Sequence, residues 1–165
     1  MLSQLAMEFV EAAERVETEA ELTEAFECLL KAIGITRYNI GQMSGILPDE
    51  ILLCGNWNEE WVKHYVRHQY YYADAIVAKA KSSPKAFDWD SVKEEGLLKG
   101  PSKKIMDEAG EFGIRSGYTV PVFQANGYLA VASFDSGRAA PNKRTRAALQ
   151  LATVYFHARL LCFRD

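Results

Sequence analysis

Cysteine is scarce in this chain of 165 residues, where Cys28, Cys54 and Cys162 lie far apart and form no CxxC pair. An odd number of widely spaced cysteines does not suit a disulfide framework or a zinc site. We interpret the three as small core residues of a protein in the reducing cytoplasm. The sequence therefore predicts a cytoplasmic protein without structural disulfides.

Long apolar runs and an excess of positive charge are also missing. No apolar stretch approaches the ~20 residues that a membrane-spanning helix needs, and the acidic, amphipathic N-terminus does not resemble a signal peptide. The net charge is -3, whereas a nucleic-acid surface is usually basic. We expect neither a membrane nor DNA to be a direct partner of these 165 residues.

Motifs for catalysis and for metal binding are absent. The sequence has no GxSxG nucleophile elbow, no GxGxxG loop and no P-loop. His64 and His68 are four residues apart, but no glutamate follows the first and no third ligand is evident. We interpret them as surface histidines, and the sequence predicts no enzyme, no metal site and no cofactor.

Aromatic residues make up 12% of the chain, and many of them lie between Trp57 and Trp89. Within this region Trp61 and Tyr65 form WxxxY, and Asp74 follows nine residues later. Taken singly, these aromatic residues are more often core residues and the aspartate a helix cap. Taken together, a carboxylate among large aromatic donors suits the binding of a small polar molecule with an apolar tail.

The periodicity of apolar residues predicts one domain, covering residues 1–165, of mixed secondary structure. Strands joined by tight turns favour an antiparallel sheet. We expect an α/β (α+β) fold, an α-β-α sandwich with about five antiparallel strands covered by helices on both faces, similar to GAF and PAS domains. The predicted elements, in order, are a helix over 2–16, a helix after the capping box Thr18–Glu21, strands over 35–43 and 49–55, helices after Asn58, Asp74 and Ser102, a hairpin of strands 117–123 and 128–134 around Asn126-Gly127, and a final helix after Asn142.

The chain resembles the autoinducer-binding domain of LuxR-type quorum-sensing transcription regulators. The resemblance covers most of the chain and rests on WxxxY at Trp61 and Tyr65, Asp74 nine residues on, Trp89 fifteen after that, and Gly117 before the hairpin. It implies that the ligand is an N-acyl-homoserine lactone. It also implies that Trp61 donates to the lactone carbonyl and that Asp74 accepts from the ligand amide.

The same resemblance implies roles for further residues. Tyr65 and Ser133 are similar to the groups that contact the amide and acyl oxygens, and Trp89 to the ring against which the lactone packs. The residues expected to approach the acyl chain are Tyr38, Asn39, Gly41, Met43, Leu53, Ile76, Val77 and Val131.

Three positions depart from the family pattern. Trp57 stands where a tyrosine is common, and it either donates through its indole or narrows the pocket. Ile76, where relatives can have a threonine, makes the wall more apolar. Together, Trp57 and Ile76 predict a short, branched or flat (aryl) acyl group. Ala75 replaces a common proline. Asn39, polar in an apolar strand, either meets a polar group at the acyl end or faces water.

The resemblance also implies partners that lie outside these residues. Family members continue into a helix-turn-helix domain that reads DNA as a dimer, so this chain is expected to be part of a longer regulator or, less commonly, a stand-alone receptor. A homodimer is expected. The final helix, with Leu149, Tyr155, Phe156 and Leu160, is either a dimer surface or a helix that covers the core.

Two other functions remain open. A GAF- or PAS-like sensor of another small molecule would show much the same order of elements, and replacement of Trp61 or Asp74 would then leave its response unchanged. A small lactone-processing enzyme would need a nucleophile or a metal.

Overall fold

The computed structural model describes residues 1–43, 50–125, 127–135 and 141–164, and for residues 50–52 the backbone alone. Two compact units form, one from Met1–Thr36 with Pro141–Asp165 and one from Arg37–Ala140. The helices are α1 (Leu2–Arg15), α2 (Glu19–Ala32), α3 (Glu59–Arg67), α4 (Ala75–Ser82), α5 (Trp89–Glu94), α6 (Pro101–Glu111) and α7 (Lys143–Arg164). The strands are β1 (Arg37–Met43), β2 (Glu50–Gly55), β3 (Phe87–Asp88), β4 (Tyr118–Phe123) and β5 (Leu129–Asp135).

The first unit is a three-helix assembly of α1, α2 and α7. Its centre is aromatic, because the Phe26 ring stacks on Phe156 with 4.1 Å between centroids and also packs against Phe9 at 5.5 Å. The capping box begins α2, since the Thr18 hydroxyl accepts from the Glu21 N–H while the Glu21 carboxylate accepts from the Thr18 N–H. This confirms the capping box that the sequence predicts.

The final helix contributes its apolar stripe to this core. Leu149, Phe156 and Leu160 are each 0% exposed, and Tyr155 is half-buried. Because fully buried side chains cannot meet a second copy, the dimer-surface alternative is wrong for Leu149, Phe156 and Leu160. These three residues are core residues of the first unit.

The second unit is built on a five-stranded antiparallel sheet in the order β2-β1-β5-β4-β3. The central strand β5 is buried along its whole length, and its first four residues, Leu129 to Ala132, are all apolar. A register shift between Ile40 and Gly41 interrupts the pairing of β1 with β2. The antiparallel sheet of about five strands and the mixed α/β class are confirmed.

Side-chain caps begin three of the helices in this unit. Asn58 accepts from the N–H groups of Glu60 and Trp61, Asp74 accepts from Ile76, and the Asp88 carboxylate accepts from Ser91. These caps satisfy N–H groups that have no partner within the helix. The caps predicted at Asn58 and Asp74 are confirmed.

Several predicted boundaries differ from the structure. Helix α6 begins at Pro101 rather than at Ser102, because proline suits the first helical position, and the Ser102 hydroxyl accepts from the Lys99 N–H. The sequence did not indicate β3 or α5. Asn126 of the predicted turn lies outside the described residues, but β4 and β5 pair antiparallel on either side of it, as a hairpin requires.

Among the described residues no helix is both long enough and apolar enough to cross a lipid bilayer.

Candidate ligand-binding site

A cavity lies between one face of the sheet and helices α3 to α6, wholly inside the second unit. The cavity has a volume of about 60 Å³, which is room for several waters or a small organic group. Its wall is mostly apolar with a few polar groups, the composition usual for small-molecule sites. The residues that line it are Asn39, Trp57, Trp61, Val62, Tyr65, Val66, Asp74, Ile76, Val77, Trp89, Ile105, Met106, Ala109, Ile114, Val131 and Ser133.

Helix α3 places Trp61 and Tyr65 on the same wall, since residues four apart lie one above the other on a helix. Trp61 is 2% exposed, and its ring packs edge-on against Tyr65 at 5.8 Å between centroids. The indole N–H can only donate a hydrogen bond. This wall therefore suits a ligand group that accepts, such as a carbonyl.

Asp74 lies at the start of α4 and faces the same cavity. Its Oδ1 accepts from the Ile76 N–H at 2.8 Å, and its Oδ2 accepts from the Tyr65 hydroxyl at 2.7 Å. Burial raises the pKa of Asp74 above its ordinary value, while the hydrogen bonds from Tyr65, Ile76 and Val77 act to lower it. Each carboxylate oxygen can accept more than one hydrogen bond, so capacity remains for a ligand N–H.

Trp89 closes the cavity at the β4 side of the sheet. Its indole N–H donates to the Thr119 hydroxyl at 2.9 Å, and Thr119 shares a second bond of 2.9 Å with the Ser133 hydroxyl. Thr119 is fully buried and Ser133 nearly so. The Ser133 side chain is thus fixed at the floor of the cavity by a chain of internal hydrogen bonds.

Gly117 makes room for the Trp89 ring. A Cβ at this position would lie 2.6–2.8 Å from three atoms of the indole, which is closer than carbon atoms pack. The backbone also holds the pair together, since the Trp89 N–H donates to the Gly117 carbonyl at 2.9 Å. A glycine is required here by this close approach.

Two buried polar atoms at the cavity have no hydrogen-bond partner among the described residues. They are the Trp57 Nε1, a donor, and the Asn39 Oδ1, an acceptor. Trp57 packs edge-on against Trp89 with 6.2 Å between ring centroids. Buried polar groups are almost always paired in native proteins, so both atoms point to a partner that the cavity accommodates.

A polar cluster joins α6 to the segment that follows α3. The Tyr70 hydroxyl donates to the Glu108 carboxylate at 2.5 Å, and His64 Nε2 lies 3.2 Å from Tyr70 and 3.3 Å from Glu108. The hydrogen bond to Glu108 raises the pKa of Tyr70 to about 12 and lowers the pKa of Glu108. Through His64 and Glu108 the cluster ties α3 to α6, and both helices line the cavity. His64 therefore has a structural role.

Ten of the fourteen predicted ligand residues line this cavity. They include Trp61 and Asp74, the pair on which the ligand interpretation depends. The ten are Trp61, Asp74, Tyr65, Ser133, Trp89, Trp57, Asn39, Ile76, Val77 and Val131.

The other four lie elsewhere. Side chains alternate along a strand, so Tyr38 points to the face of β1 opposite Asn39, where its ring stacks at 6.5 Å on Phe134. The expectation that Tyr38 approaches an acyl chain does not hold for this cavity. Met43 lies on the Asn39 face but further along the strand, in the apolar core, and Gly41 and Leu53 do not line the cavity.

Six lining residues were not predicted as ligand residues. The sequence does carry a signal for five of them, because they belong to the apolar stripes of α3 and α6 that face inward. Ile114 follows α6 and had no such signal. The six are Val62, Val66, Ile105, Met106, Ala109 and Ile114.

Comparison with known families identifies the domain. Residues 18–160 match the family model described as the autoinducer binding domain. The chain belongs to this family. It is thus a domain of the type found in LuxR-type quorum-sensing regulators, as the resemblance implied.

Two curated regulators illustrate the similarity of this autoinducer-binding domain to known proteins. The chain is 28% identical over 158 residues to the quorum sensing-dependent transcriptional regulator RpaR of Rhodopseudomonas palustris, covering 94% of this chain and 64% of that protein. It is 27% identical over 158 residues to the transcriptional activator TraR of Rhizobium radiobacter, covering 89% and 66%. The chain therefore spans about two thirds of these relatives.

A solved structure shows the same fold. The crystal structure of the N-acylhomoserine lactone dependent LuxR family transcription factor CepR2 from Burkholderia cenocepacia superposes with a TM-score of 0.80 at 20% identity, covering 99% of this chain and 98% of that one. At this identity the comparison supports the fold alone. The chain therefore shares its fold with a solved structure of the LuxR family.

Proposed function

We propose that this domain binds an N-acyl-homoserine lactone and passes the signal to dimerisation and DNA binding in a longer cytoplasmic regulator. The observation that supports this most directly is that the side chains of Trp61 and Asp74 line one cavity. One supplies a donor and the other an acceptor. A lactone head, with its ring carbonyl and its amide N–H, needs that pair.

In this proposal the polar head determines which ligand is bound. Trp61 donates to the ring carbonyl, Asp74 accepts from the amide N–H, and Trp89 packs against the ring. A hydrogen bond to a charged group contributes roughly 1.5–3 kcal/mol, and each buried methylene of the tail adds ~0.8 kcal/mol. The head therefore sets identity, and the tail sets much of the affinity.

Binding entails an exchange of hydrogen bonds at Tyr65. Its hydroxyl has a single proton, which it donates to the Asp74 Oδ2 at an oxygen–oxygen distance of 2.7 Å. If Tyr65 turns to donate to an acyl oxygen, the ligand amide N–H takes its place as a donor to Asp74. Ser133 is the second donor for the acyl oxygen in the arrangement where Thr119, which accepts from the Trp89 indole, donates to the Ser133 oxygen and leaves the Ser133 proton for the ligand.

Calorimetric titration with a series of acyl-homoserine lactones tests the proposal. Replacing Asp74 by asparagine keeps the size of the side chain but removes the charge, and we expect affinity to fall at least about tenfold. Trp61→Phe removes the indole donor and should act in the same direction. Asp107→Asn is the matched control, because Asp107 is exposed and pairs with Lys103 on the surface of α6.

The two alternatives have distinct outcomes in the same experiment. A sensor for another class of molecule would show no lactone binding, or binding that Trp61→Phe and Asp74→Asn leave unchanged. A lactone-processing enzyme would convert the lactone to ring-opened product during incubation with the protein. Among the described residues there is no group of three or more His, Cys, Asp or Glu side chains that could hold a metal, and the relatives are transcription regulators.

A further inference from the structure

A row of polar side chains crosses the floor of the cavity from one strand to the next. The antiparallel pairing places Asn39 of β1 opposite Ser133 of β5, and Ser133 opposite Thr119 of β4. Residues directly opposite each other in an antiparallel pair lie on the same face of the sheet. These three therefore form one line, perpendicular to the strands, beneath the cavity.

The two ends of this row differ in their hydrogen bonding. At the β4 end, Thr119 accepts from the Trp89 indole and bonds to Ser133, so it is already paired within the protein. At the β1 end, the Asn39 Oδ1 is buried and has no partner among the described residues. The sequence left open whether Asn39 meets a ligand or faces water. Because its Oδ1 is buried, it does not contact bulk solvent.

The spacing of strands separates the two ends. Neighbouring strands lie ≈ 4.7–4.9 Å apart, so Asn39 is about 10 Å across the sheet from Thr119 and from the indole above it. If the lactone head packs on Trp89, as the proposed function requires, the acyl tail extends along the row towards Asn39. A tail of carbon and hydrogen alone would leave the Asn39 acceptor buried and unpaired, which is costly.

We propose that Asn39 is a specificity residue for a hydroxyl group on the acyl chain of the ligand. The inference rests on the proposed function. A hydroxyl can donate to the Oδ1 of Asn39, and it could equally accept from the side-chain amide nitrogen. The unpaired Nε1 of Trp57 is a second polar atom at the cavity, and the oxygen of the same hydroxyl or of the acyl carbonyl can accept from it.

Titration of the wild-type domain with matched pairs of lactones tests this inference. Each pair has the same acyl chain with and without a hydroxyl, placed at carbon 3 or at the terminal carbon of four- and six-carbon chains. We expect one hydroxylated member to bind about tenfold more tightly than its partner, because the unhydroxylated tail leaves a buried acceptor unpaired. If no hydroxylated member binds more tightly at either position, the inference is wrong.

Replacement of Asn39 by leucine should abolish the preference, so that the two members of each pair bind within about twofold of each other. Gln42→Leu is the matched control on the same strand, since Gln42 lies on the opposite face and bonds to Gln124, and it should retain the preference. If Asn39→Leu does not fold, Asn39→Ala provides the same comparison with a smaller side chain. A preference that persists without the Asn39 amide would contradict the inference.

Failure of the inference differs from failure of the proposed function. Lactones that bind in a manner dependent on Trp61 and Asp74, but without a preference for hydroxylated tails, would overturn the role of Asn39 and leave the sensor function intact. If no lactone binds at all, both proposals fail together.

Discussion

Gly117 lies so close to the Trp89 indole that the position of that ring depends on the missing side chain. We expect Gly117→Ala to destabilise the domain by about 1–3 kcal/mol, because a Cβ 2.6–2.8 Å from the indole forces the ring to move. Displacement of Trp89 would also break its bond to Thr119. Urea denaturation measures the loss of stability, and tryptophan fluorescence reports the movement of the ring.

A second glycine gives the control. Gly110 lies inside α6, where a Cβ would meet the side chain of Arg115 no closer than 3.6 Å. Alanine there should be neutral or stabilising by up to about 1 kcal/mol, because alanine favours a helix more than glycine does. Equal effects of Gly117→Ala and Gly110→Ala would contradict the proposed role of close packing against Trp89.

Titration of the Asp74 carboxyl group should make both ligand affinity and the stability of the free protein depend on pH. Burial raises its pKa in the free protein, and an N–H donated by the ligand lowers the pKa. Between the lower pKa of the complex and the higher pKa of the free protein, binding releases a proton, so affinity should rise with pH through that window and then level off. Titration calorimetry at a series of pH values from the ordinary carboxyl pKa upwards measures it.

Stability of the free protein should change with pH in the opposite direction to ligand affinity. The native state of the free protein holds the proton more tightly than the unfolded chain does, so stability should fall as pH rises from the ordinary carboxyl pKa of about 3.9 towards the raised one. Asp74→Asn should remove this fall, and Asp107→Asn should retain it. If wild type and Asp74→Asn show the same pH profile in thermal unfolding, the carboxylate is not the titrating group.

At the scale of secondary structure, the cap of α3 links helix stability to the site. The Asn58 carboxamide accepts from the N–H groups of Glu60 and Trp61 at 2.9 Å and 3.3 Å. Asn58→Ala should cost about 1 kcal/mol of stability. Because Trp61 lies in the first turn, fraying of that turn should also weaken lactone binding in a titration.

The capping box of α2 provides the comparison for this element. Thr18→Ala removes a cap of similar strength in the unit that does not contain the cavity. We expect a similar loss of stability by urea denaturation with unchanged lactone affinity. Equal loss of affinity in both variants would show that the effect is general destabilisation and not the position of Trp61.

Local signals explain which elements could be predicted. The caps at Thr18, Asn58 and Asp74 could be predicted because the capping side chain and the first apolar turn are adjacent in sequence. Strand β3 and helix α5 were not, since two residues pair as a strand only when β4 lies beside them. Long-range pairing of this kind leaves no periodic pattern in the chain itself.

The site residues divide in the same way, into those that a sequence motif predicts and those that depend on long-range pairing. The family resemblance predicted that Trp61 and Asp74 act on one ligand, and the structure places both on one cavity. Tyr38 could not be assigned to a face without the register of β1, because a shift of one residue exchanges the two faces of a strand. The part that Thr119 plays in the site could not be predicted either, because it depends on hydrogen bonds to Trp89 and Ser133 that only the fold creates.

For the whole molecule, the cavity links stability to ligand. The Asn39 Oδ1 and the Trp57 Nε1 are buried without partners among the described residues, and burial disfavours the charged form of Asp74. Each unmet polar group costs roughly 1–3 kcal/mol. A ligand that satisfies these groups binds the folded state and not the unfolded chain, so folding and binding are coupled.

We therefore expect lactone to raise both the soluble yield during expression and the melting temperature. At a ligand concentration of 100 times Kd the stabilisation is about 2.7 kcal/mol, which corresponds to roughly 5–10 °C for a domain of this size. The Asp74→Asn variant and the hydrolysed, ring-opened lactone should each give a much smaller shift. Equal yields and equal melting temperatures with and without lactone would show that the cavity is stable when empty, and the coupling of folding to ligand would then be wrong.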